Sequence, residues 1–241
     1  GIARGREPDA GVRVGLDRFA GDAVASVIRV EVEPELVERP PLPARNAVVR
    51  LDPADAPTGK RLRPLISMLV AEALGVPGAH AIPVAVALEL LHNFTLVHDD
   101  IEDGDAERRG RPTLWVRDGV PQAINTGDAL FTVSRVALHH LTTLGFSDSK
   151  VLRLMKLYDE TCLRLCEGQY IDIAASARKE MQSVEHYFEM IGRKTAALIS
   201  GSVESGAILA SDDDEIIRRF RNFGWALGLR SEEHTSELQS H

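Results

Sequence analysis

The hydrophobic and polar positions of the chain follow a helical period from about residue 59 onward. Apolar residues recur there every three to four positions, which is the spacing of one buried helix face. The pattern predicts helices at about 63–75, 80–104, 119–144, 148–178, 183–209 and 213–229. Glycine and proline separate several of them, as in Gly75-Val-Pro-Gly78. Strand-like alternation is nearly absent, so the sequence predicts an all-α domain of long helices.

The first 57 residues do not share this pattern. One amphipathic helix fits residues 18–37, but six prolines between positions 34 and 57 prevent a regular helix from continuing there. We therefore separate an N-terminal segment, 1–57, from a helical domain, 58–229. The last predicted helix has an acidic start, with Ser211 or Asp212 as its expected N-cap.

The composition adds limits on what the chain binds. Its 241 residues include 28 Lys and Arg against 36 Asp and Glu, for a net charge of −8. Because aromatic residues are only 5% and no basic surface is expected, nucleic acid is an unsuitable partner. An anionic ligand would need local cations or bridging metal ions. No stretch reaches the roughly 20 apolar residues of a membrane helix, so no transmembrane segment is predicted.

The most informative segment is an acidic helix end. Asp99 and Asp103 are one turn apart on the same face, and Asp100 lies at the edge of that face. His92 is two turns before Asp99 and nearly in line with it. Like charges at this spacing destabilise a helix, and a hard divalent cation such as Mg²⁺ is the simplest neutraliser. The alternative is a solvated acidic helix end with no ligand.

Two clusters of cations favour the metal site. Arg108, Arg109 and Arg111 follow the acidic residues, and Gly59-Lys-Arg-Leu-Arg-Pro64 lies at an earlier helix start, where backbone N–H groups also favour anions. Arginine side chains bind phosphate oxygens in a bidentate manner, while metal ions neutralise the remaining charge. This combination indicates a site for metal-bridged diphosphates.

Six motifs occur in order along the helical domain. They are TGKRLRP (58–64), LLHNFTLVHDDIEDGDAERRGRPTLW (90–115), INTGDALF (124–131), GQYID (168–172), RKTAAL (193–198) and FGWALGL (223–229). Together they resemble the trans-prenyltransferases of the polyprenyl synthetase family, whose first DDxxD motif matches DDIED. The resemblance implies an isoprenoid synthase type I bundle of long antiparallel helices around a central cavity, incomplete at the C-terminus.

The resemblance also implies a metal site. Asp99, Asp100 and Asp103 would hold Mg²⁺ ions that bridge to the diphosphate of an allylic substrate, and Arg108 would grip the same diphosphate. Asp172 would support the metal ions through water. Three Mg²⁺ ions are expected in the intact enzyme, one of them on a second aspartate-rich motif.

Further residues are assigned by the same resemblance. The diphosphate of isopentenyl diphosphate would be held by Lys60, Arg63, His92 and Arg109. The allylic site would be completed by Gln169, Lys194 and Thr195, with Lys194 neutralising the leaving group. His98 and Asp128 match family positions but are given structural duties.

The expected reaction is a head-to-tail, trans condensation. Isopentenyl diphosphate would join an allylic partner (dimethylallyl, geranyl or farnesyl diphosphate) to form a short polyprenyl diphosphate. Phe94 and Thr95, five and four residues before Asp99, would set the length at about C20, with C15 as the nearest competitor. The family further implies a cytoplasmic homodimer.

The end of the chain departs from the family pattern. Residues 230–241, RSEEHTSELQSH, resemble a translated sequencing adaptor and stand where the second aspartate-rich motif is expected. We therefore expect a non-native tail, a missing metal site and an inactive chain. The run Asp212 to Asp214 precedes the expected motif and fits a helix cap better than a metal site.

Three other functions remain open on the sequence alone. A class I terpene cyclase shares DDxxD and a helical fold but has no need for an isopentenyl diphosphate site. An HD-type metal phosphohydrolase could use His98 and Asp99 with His80 or His92, although its further ligands are not apparent. A non-catalytic subunit of a two-chain synthase would be expected to lose its carboxylates, whereas DDIED is intact.

Overall fold

The computed structural model describes residues 13–15, 29–31, 61–178 and 183–239, and the chain divides into two units at residue 58. In the first unit, strand β1 (Arg13–Gly15) pairs antiparallel with β2 (Arg29–Glu31). The helix expected over 18–37 is wrong where β2 lies, and the rest of that range falls outside the described residues. Residues 28–33 alternate strictly between apolar and charged, which suits a strand.

The second unit is built from helices close to those that the sequence predicts. They are α1 (Leu62–Ala73), α2 (Ile82–Glu102), α3 (Leu114–Asp118), α4 (Val120–Thr143), α5 (Asp148–Arg178), α6 (Val184–Ile191), α7 (Ala197–Ala210) and α8 (Asp214–Gln239). A 3₁₀ turn, Gly78–Ala81, precedes α2. Strands β3 (Glu107–Arg108) and β4 (Arg111–Pro112) form a hairpin between α2 and α3. The predicted all-α class is confirmed.

One predicted helix is interrupted. The segment expected as a single helix over 183–209 consists of α6, a π-helical turn at Gly192–Ala196 and α7. A π-turn widens the helix locally and is often found at functional sites. This one changes the direction in which the side chains of the RKTAAL motif point.

Helix α7 lies at the centre of the second unit. Every residue from Ala197 to Leu209 is buried, and the helix packs against α1, α5 and α8. Small residues make this close packing possible. A methyl group on Gly206, for example, would lie only 2.4 Å from the backbone oxygen of Ser67 in α1. The core is therefore organised around a helix with no solvent-facing side.

Helix α2 runs through the core beside α4 and leads to the acidic segment. Its first turn contains Pro83, which has no N–H to leave unsatisfied there, and Leu91 is fully buried. Residues 78–102 are long and apolar enough to cross a membrane by length and composition, but 56% of the most apolar 18-residue stretch is buried inside the protein. The apolar residues are explained by the core.

Helix α8 begins with an aspartate cap. The Oδ1 atom of Asp213 accepts a hydrogen bond of 2.8 Å from the backbone N–H of Glu215. The expected cap at Ser211 or Asp212 is therefore wrong by one or two residues. Asp212 and Asp214 instead form ion pairs with basic residues of α5.

Candidate active site

A cavity of about 240 Å³ lies beside the acidic end of α2. Helices α2 and α5 and the π-turn provide its walls. Of the residues predicted from the sequence, the cavity is lined by Phe94, Thr95, Asp99, Gln169 and Lys194. The structure thus brings together three sequence motifs that are up to 100 residues apart.

Asp99 is the acidic residue that best fits a cation site. Burial raises its pKa from 3.8 to about 6, against the positive charge of Lys194, and the negative charges of Asp103 and Glu102 raise it further. Within the described part of the chain, its carboxylate makes no hydrogen bond or ion pair. A carboxylate that burial penalises and that has no direct ion pair among the described residues is suited to binding a metal ion.

Asp100 is directed differently. It is buried, and its Oδ1 atom accepts a hydrogen bond of 2.5 Å from Nε of Arg108. The β3–β4 hairpin carries Arg108 back toward α2, and Gly110 (φ 76°) allows the tight turn. The backbone oxygen of Asp105 anchors the hairpin by accepting from Nε1 of Trp115, at 2.8 Å. Asp100 is therefore bound to an arginine and is not part of the cavity lining.

Asp103 lies at the end of α2, one turn after Asp99. Its backbone N–H donates to the Asp99 carbonyl at 2.8 Å, and its side chain is exposed. Its charge acts on both Asp99 and Lys194. The two carboxylates share one face, as the spacing predicted.

Lys194 approaches the acidic residues from the π-turn. Its Nζ atom donates to Oδ2 of Asp172 in α5 at 2.7 Å. Burial alone would lower the pKa of Lys194, but this hydrogen bond and the charges of Asp99, Asp172 and Asp103 outweigh it and raise the pKa. The ammonium group therefore stays charged at the cavity wall. Thr195 follows it on the same turn, half-buried.

Gln169 faces the cavity from α5, one turn before Asp172. Its Nε2 atom donates to Oε2 of Glu102 at 2.9 Å. Its Oε1 atom is buried and has no hydrogen-bond partner among the residues that the structure describes. Since a carboxylate only accepts, the contact with Glu102 fixes which end of the amide faces it.

A second cluster of charged residues surrounds His92. Burial, followed by the positive charges of Arg63, Arg109 and Arg108, lowers the pKa of His92 to about 3, so its imidazole is neutral. Burial also raises the pKa of Glu89, while Arg63 and other cations act to lower it. Three arginines near one neutral histidine form a local site of positive charge. Lys60, predicted to belong to it, lies outside the described residues.

Phe94 lines the cavity and is the first of three aromatic rings that pack in a row. Phe94 packs on Phe131 of α4 with ring centroids 5.4 Å apart, and Phe131 packs on Tyr158 of α5 at 6.2 Å. The hydroxyl groups of Tyr158 and Ser134 are hydrogen-bonded in the core. Thr95 also lines the cavity, and its hydroxyl group donates to the His92 carbonyl at 2.8 Å.

His98 lines the cavity, and Asp128 lies beside it on α4. The His98 ring packs against Phe94, with centroids 4.8 Å apart, and its Nε2 atom is 3.8 Å from Oδ1 of Asp128. Gly127 makes room for the ring, because a methyl group there would lie 2.2 Å from His98 Nε2. These contacts join α2 to α4 beside the cavity.

Two acidic residues beside the site are given no role by the sequence patterns. Glu89 is one turn before His92 on the same helix face, and Glu102 is one turn after Asp99. The helical spacing could have identified both. The cavity lining from Cys166 and Tyr170 had no comparable signal, because only the packing of α5 decides which of its faces is turned inward.

Comparisons with family models, with curated proteins and with solved structures all relate this chain to one family. Residues 52–230 match the model of the polyprenyl synthetase family. The geranylgeranyl diphosphate synthase of Methanosarcina mazei is 39% identical over 71% of this chain and 52% of its own length. That of Mycobacterium tuberculosis is 42% identical over 71% of this chain and 48% of its own length.

A solved structure shares the architecture as well. The geranylgeranyl pyrophosphate synthetase of the archaeon Geoglobus acetivorans superposes with a TM-score of 0.69 at 36% identity, over 81% of this chain and 60% of that one. The chain spans about half the length of the curated relatives it matches. Fold, motifs and family match agree, and the chain belongs to the polyprenyl synthetase family.

Proposed function

We propose that the protein from which this chain comes is a Mg²⁺-dependent prenyltransferase. It condenses isopentenyl diphosphate head to tail with an allylic diphosphate. The product is a short polyprenyl diphosphate with trans double bonds. The observation that carries this proposal is the cavity in which Asp99, lacking an ion pair among the described residues, is opposed by Lys194. The roles of individual residues belong to the same proposal.

The allylic diphosphate binds at the acidic end of α2. Asp99 and Asp103 would hold Mg²⁺, whose charge neutralises the diphosphate and favours its departure. Asp100 is hydrogen-bonded to Arg108 in the structure. When Arg108 binds the diphosphate instead, the Asp100 carboxylate is released and would join Asp99 and Asp103 in holding Mg²⁺. Asp172 orients Lys194 toward the leaving group. Gln169 and Thr195 complete this half of the site.

Isopentenyl diphosphate binds at the second cluster. Arg63, Arg109 and Lys60 provide the charge, and neutral His92 donates a hydrogen bond without adding to the electrostatic repulsion among them. Holding both substrates side by side removes the entropy cost of a bimolecular encounter from the chemical step.

The proposed reaction then takes place in a short sequence of bond changes. The allylic C–O bond breaks, leaving an allylic cation, and Lys194 donates hydrogen bonds to the departing diphosphate. The double bond of isopentenyl diphosphate attacks the cation, and the proton lost afterwards passes to the released diphosphate. The apolar part of the cavity around Phe94 keeps water from the cation.

The product is a prenyl diphosphate of about C20. The geranylgeranyl diphosphate synthases among the relatives support this length, and so does Phe94, which lines the cavity and is held in place by its contact with Phe131. Thr95 beside Phe94 leaves room that a larger side chain would fill. A C15 product is the nearest alternative, because one prenyl unit less requires only a slightly shorter cavity.

The 241-residue chain itself is expected to be inactive. Residues 230–241 would be a non-native tail in place of the second aspartate-rich motif, and one of three Mg²⁺ sites would be missing with it. Helix α8 continues to Gln239 without a break, so helical form alone does not distinguish the tail from the segment before it. We further propose a cytoplasmic homodimer, by analogy with the family.

The test uses the parent protein, recovered by sequencing the source DNA past codon 229. Labelled isopentenyl diphosphate, geranyl or farnesyl diphosphate and Mg²⁺ should give a prenyl diphosphate, and Asp99→Ala with Asp103→Ala should abolish it. Full activity of that double variant would overturn the proposal. Hydrocarbon from the allylic substrate alone would indicate a terpene cyclase. Binding without turnover would indicate a non-catalytic subunit. Release of diphosphate or phosphate in the absence of isopentenyl diphosphate would indicate a phosphohydrolase.

A further inference from the structure

The π-turn that carries Lys194 is enclosed by glycines on two neighbouring helices. The turn, Gly192–Ala196, packs against α5 on one side and α8 on the other. A π-turn is less favourable than a regular helix and persists where its surroundings stabilise it. The glycines show what provides this stabilisation.

On the α5 side the contact is made by Gly168. A methyl group at this position would lie 2.6 Å from the backbone nitrogen of Lys194 and 2.9 Å from the carbonyl carbon of Arg193. Both are backbone atoms, so no rotation of a side chain could relieve the overlap. Only glycine allows α5 to approach the turn this closely.

On the α8 side the contact is made by Gly228. A methyl group there would lie 2.5 Å from Cα of Ala196 and 3.2 Å from its carbonyl oxygen. Trp225, one turn earlier on α8, reaches Gly192 at the start of the turn, where a methyl group would lie 3.0 Å from Cζ2 of the indole. Helix α8 thus contacts both ends of the π-turn.

We infer that Gly168 and Gly228 are positioning residues for Lys194. They hold the π-turn between α5 and α8 so that Nζ of Lys194 reaches Asp172 at 2.7 Å and lines the cavity beside Asp99. A displacement of the turn by about 1 Å would break a hydrogen bond of this length, because N–H···O hydrogen bonds have donor–acceptor distances of about 2.7–3.2 Å. The functional part of this inference rests on the proposed role of Lys194 in diphosphate binding.

The chain offers a matched control for the effect on stability. Gly206 in α7 is equally tight, since a methyl group there would lie 2.4 Å from the backbone oxygen of Ser67 and 2.9 Å from Cβ of Val70. Its contact is with α1 and not with the π-turn. Gly206→Ala should therefore destabilise the fold without displacing Lys194.

The experiment follows the Lys194 ammonium group by ¹⁵N NMR in the 241-residue chain. A lysine ammonium signal is visible when its protons exchange slowly with water. We expect slow exchange for Lys194 because its Nζ atom donates to Asp172 at 2.7 Å, and Lys194→Arg assigns the signal by removing it. Gly168→Ala and Gly228→Ala should each abolish the signal or broaden it severalfold and shift the backbone resonances of residues 192–196. Gly206→Ala should leave both unchanged.

Several results would overturn the inference. The first is a Lys194 signal that survives Gly168→Ala. The second is a signal that Gly206→Ala weakens as much as Gly168→Ala does. The third is the absence of the Lys194 signal from the unsubstituted 241-residue chain. Should Gly168→Ala fail to fold, Trp225→Phe removes ring atoms beside Gly192 without adding volume and should also speed exchange of the ammonium protons. An unchanged exchange rate in Trp225→Phe would then count against the inference.

A binding measurement connects the position of Lys194 to diphosphate recognition. With geranyl thiolodiphosphate and Mg²⁺ as the probe, Gly168→Ala and Lys194→Ala should weaken binding by similar factors, and the double variant should be no weaker than Lys194→Ala. Additive losses would show that Gly168 acts by another route. The binding measurement uses the full-length parent protein. If that protein binds no probe while the NMR results hold in the 241-residue chain, the proposed function fails and the positioning role remains.

Discussion

The ionised carboxylate of Asp99 should lower the free energy of unfolding of the metal-free chain, and Asp99→Asn should remove this penalty. Asparagine has nearly the shape of a protonated aspartic acid but cannot ionise. In the folded protein, burial raises the pKa of Asp99 to about 6, whereas the ordinary value of 3.8 applies to the unfolded chain. The rise corresponds to about 3 kcal/mol at 1.4 kcal/mol per pH unit, as an upper value.

The sign of the pH dependence comes from proton binding. Between pH 3.8 and about 6 the folded state keeps the proton that the unfolded state has lost, so the free energy of unfolding falls as pH rises. Below this range the effect of Asp99 vanishes, and above it the effect is complete. Asp99→Asn should therefore stabilise the chain by up to about 1 kcal/mol at pH 4.5 and up to about 3 kcal/mol at pH 8.

The assay is urea unfolding of both proteins at the two pH values, in the presence of a chelator. Glu107→Gln, which neutralises an exposed acid of the β3–β4 hairpin, controls for the change in net charge. An equal gain at both pH values, or none at pH 8, would refute the assignment of a penalised carboxylate to Asp99. Mg²⁺ with inorganic pyrophosphate should raise the free energy of unfolding of the unsubstituted chain and leave that of Asp99→Asn unchanged. A ligand raises this free energy only when it binds the folded state.

Three further predictions concern the core and the cavity. In the parent protein, Phe94→Ala should lengthen the products seen by chromatography, because it removes an aromatic limit of the cavity; an unchanged profile would exclude Phe94 as a determinant of length. In the 241-residue chain, Leu91→Ala should lower the free energy of urea unfolding by about 2–5 kcal/mol, since Leu91 is fully buried. Arg221→Met should cost about 1–3 kcal/mol, because it leaves the buried Glu204 carboxylate without the Arg221 Nη2 atom at 2.9 Å. The matched variant Glu204→Gln should cost less, and equal losses from both would contradict the pairing.

The helical framework was predictable because its signals are local. Apolar periodicity and the Gly and Pro breaks fix α2, α4 and α5 to within about two residues of their observed bounds. The shared face of Asp99 and Asp103 is a consequence of the same period. Residues that match family motifs, such as Gln169 and Lys194, meet at one cavity although 25 residues separate them.

Other features depend on tertiary contacts and had no local signal. A π-turn differs from a regular helix by a single residue, so the apolar period over 183–209 is nearly the same with or without it. The pairing of Asp100 with Arg108 depends on how the β3–β4 hairpin folds back. The strand at Arg29–Glu31 did have a signal, the strict alternation of residues 28–33, which a search for helical periods overlooked.

The complete burial of α7 affects how the protein can be made. A helix without a solvent-facing side gains its stability only when its neighbours are in place, and α8 leaves the ribosome after it. Until α8 has been synthesised, Leu198, Ile199 and Val203 offer a short apolar segment to chaperones or to other nascent chains. The yield of folded protein in cells should therefore depend on translation through α8 and on chaperone supply.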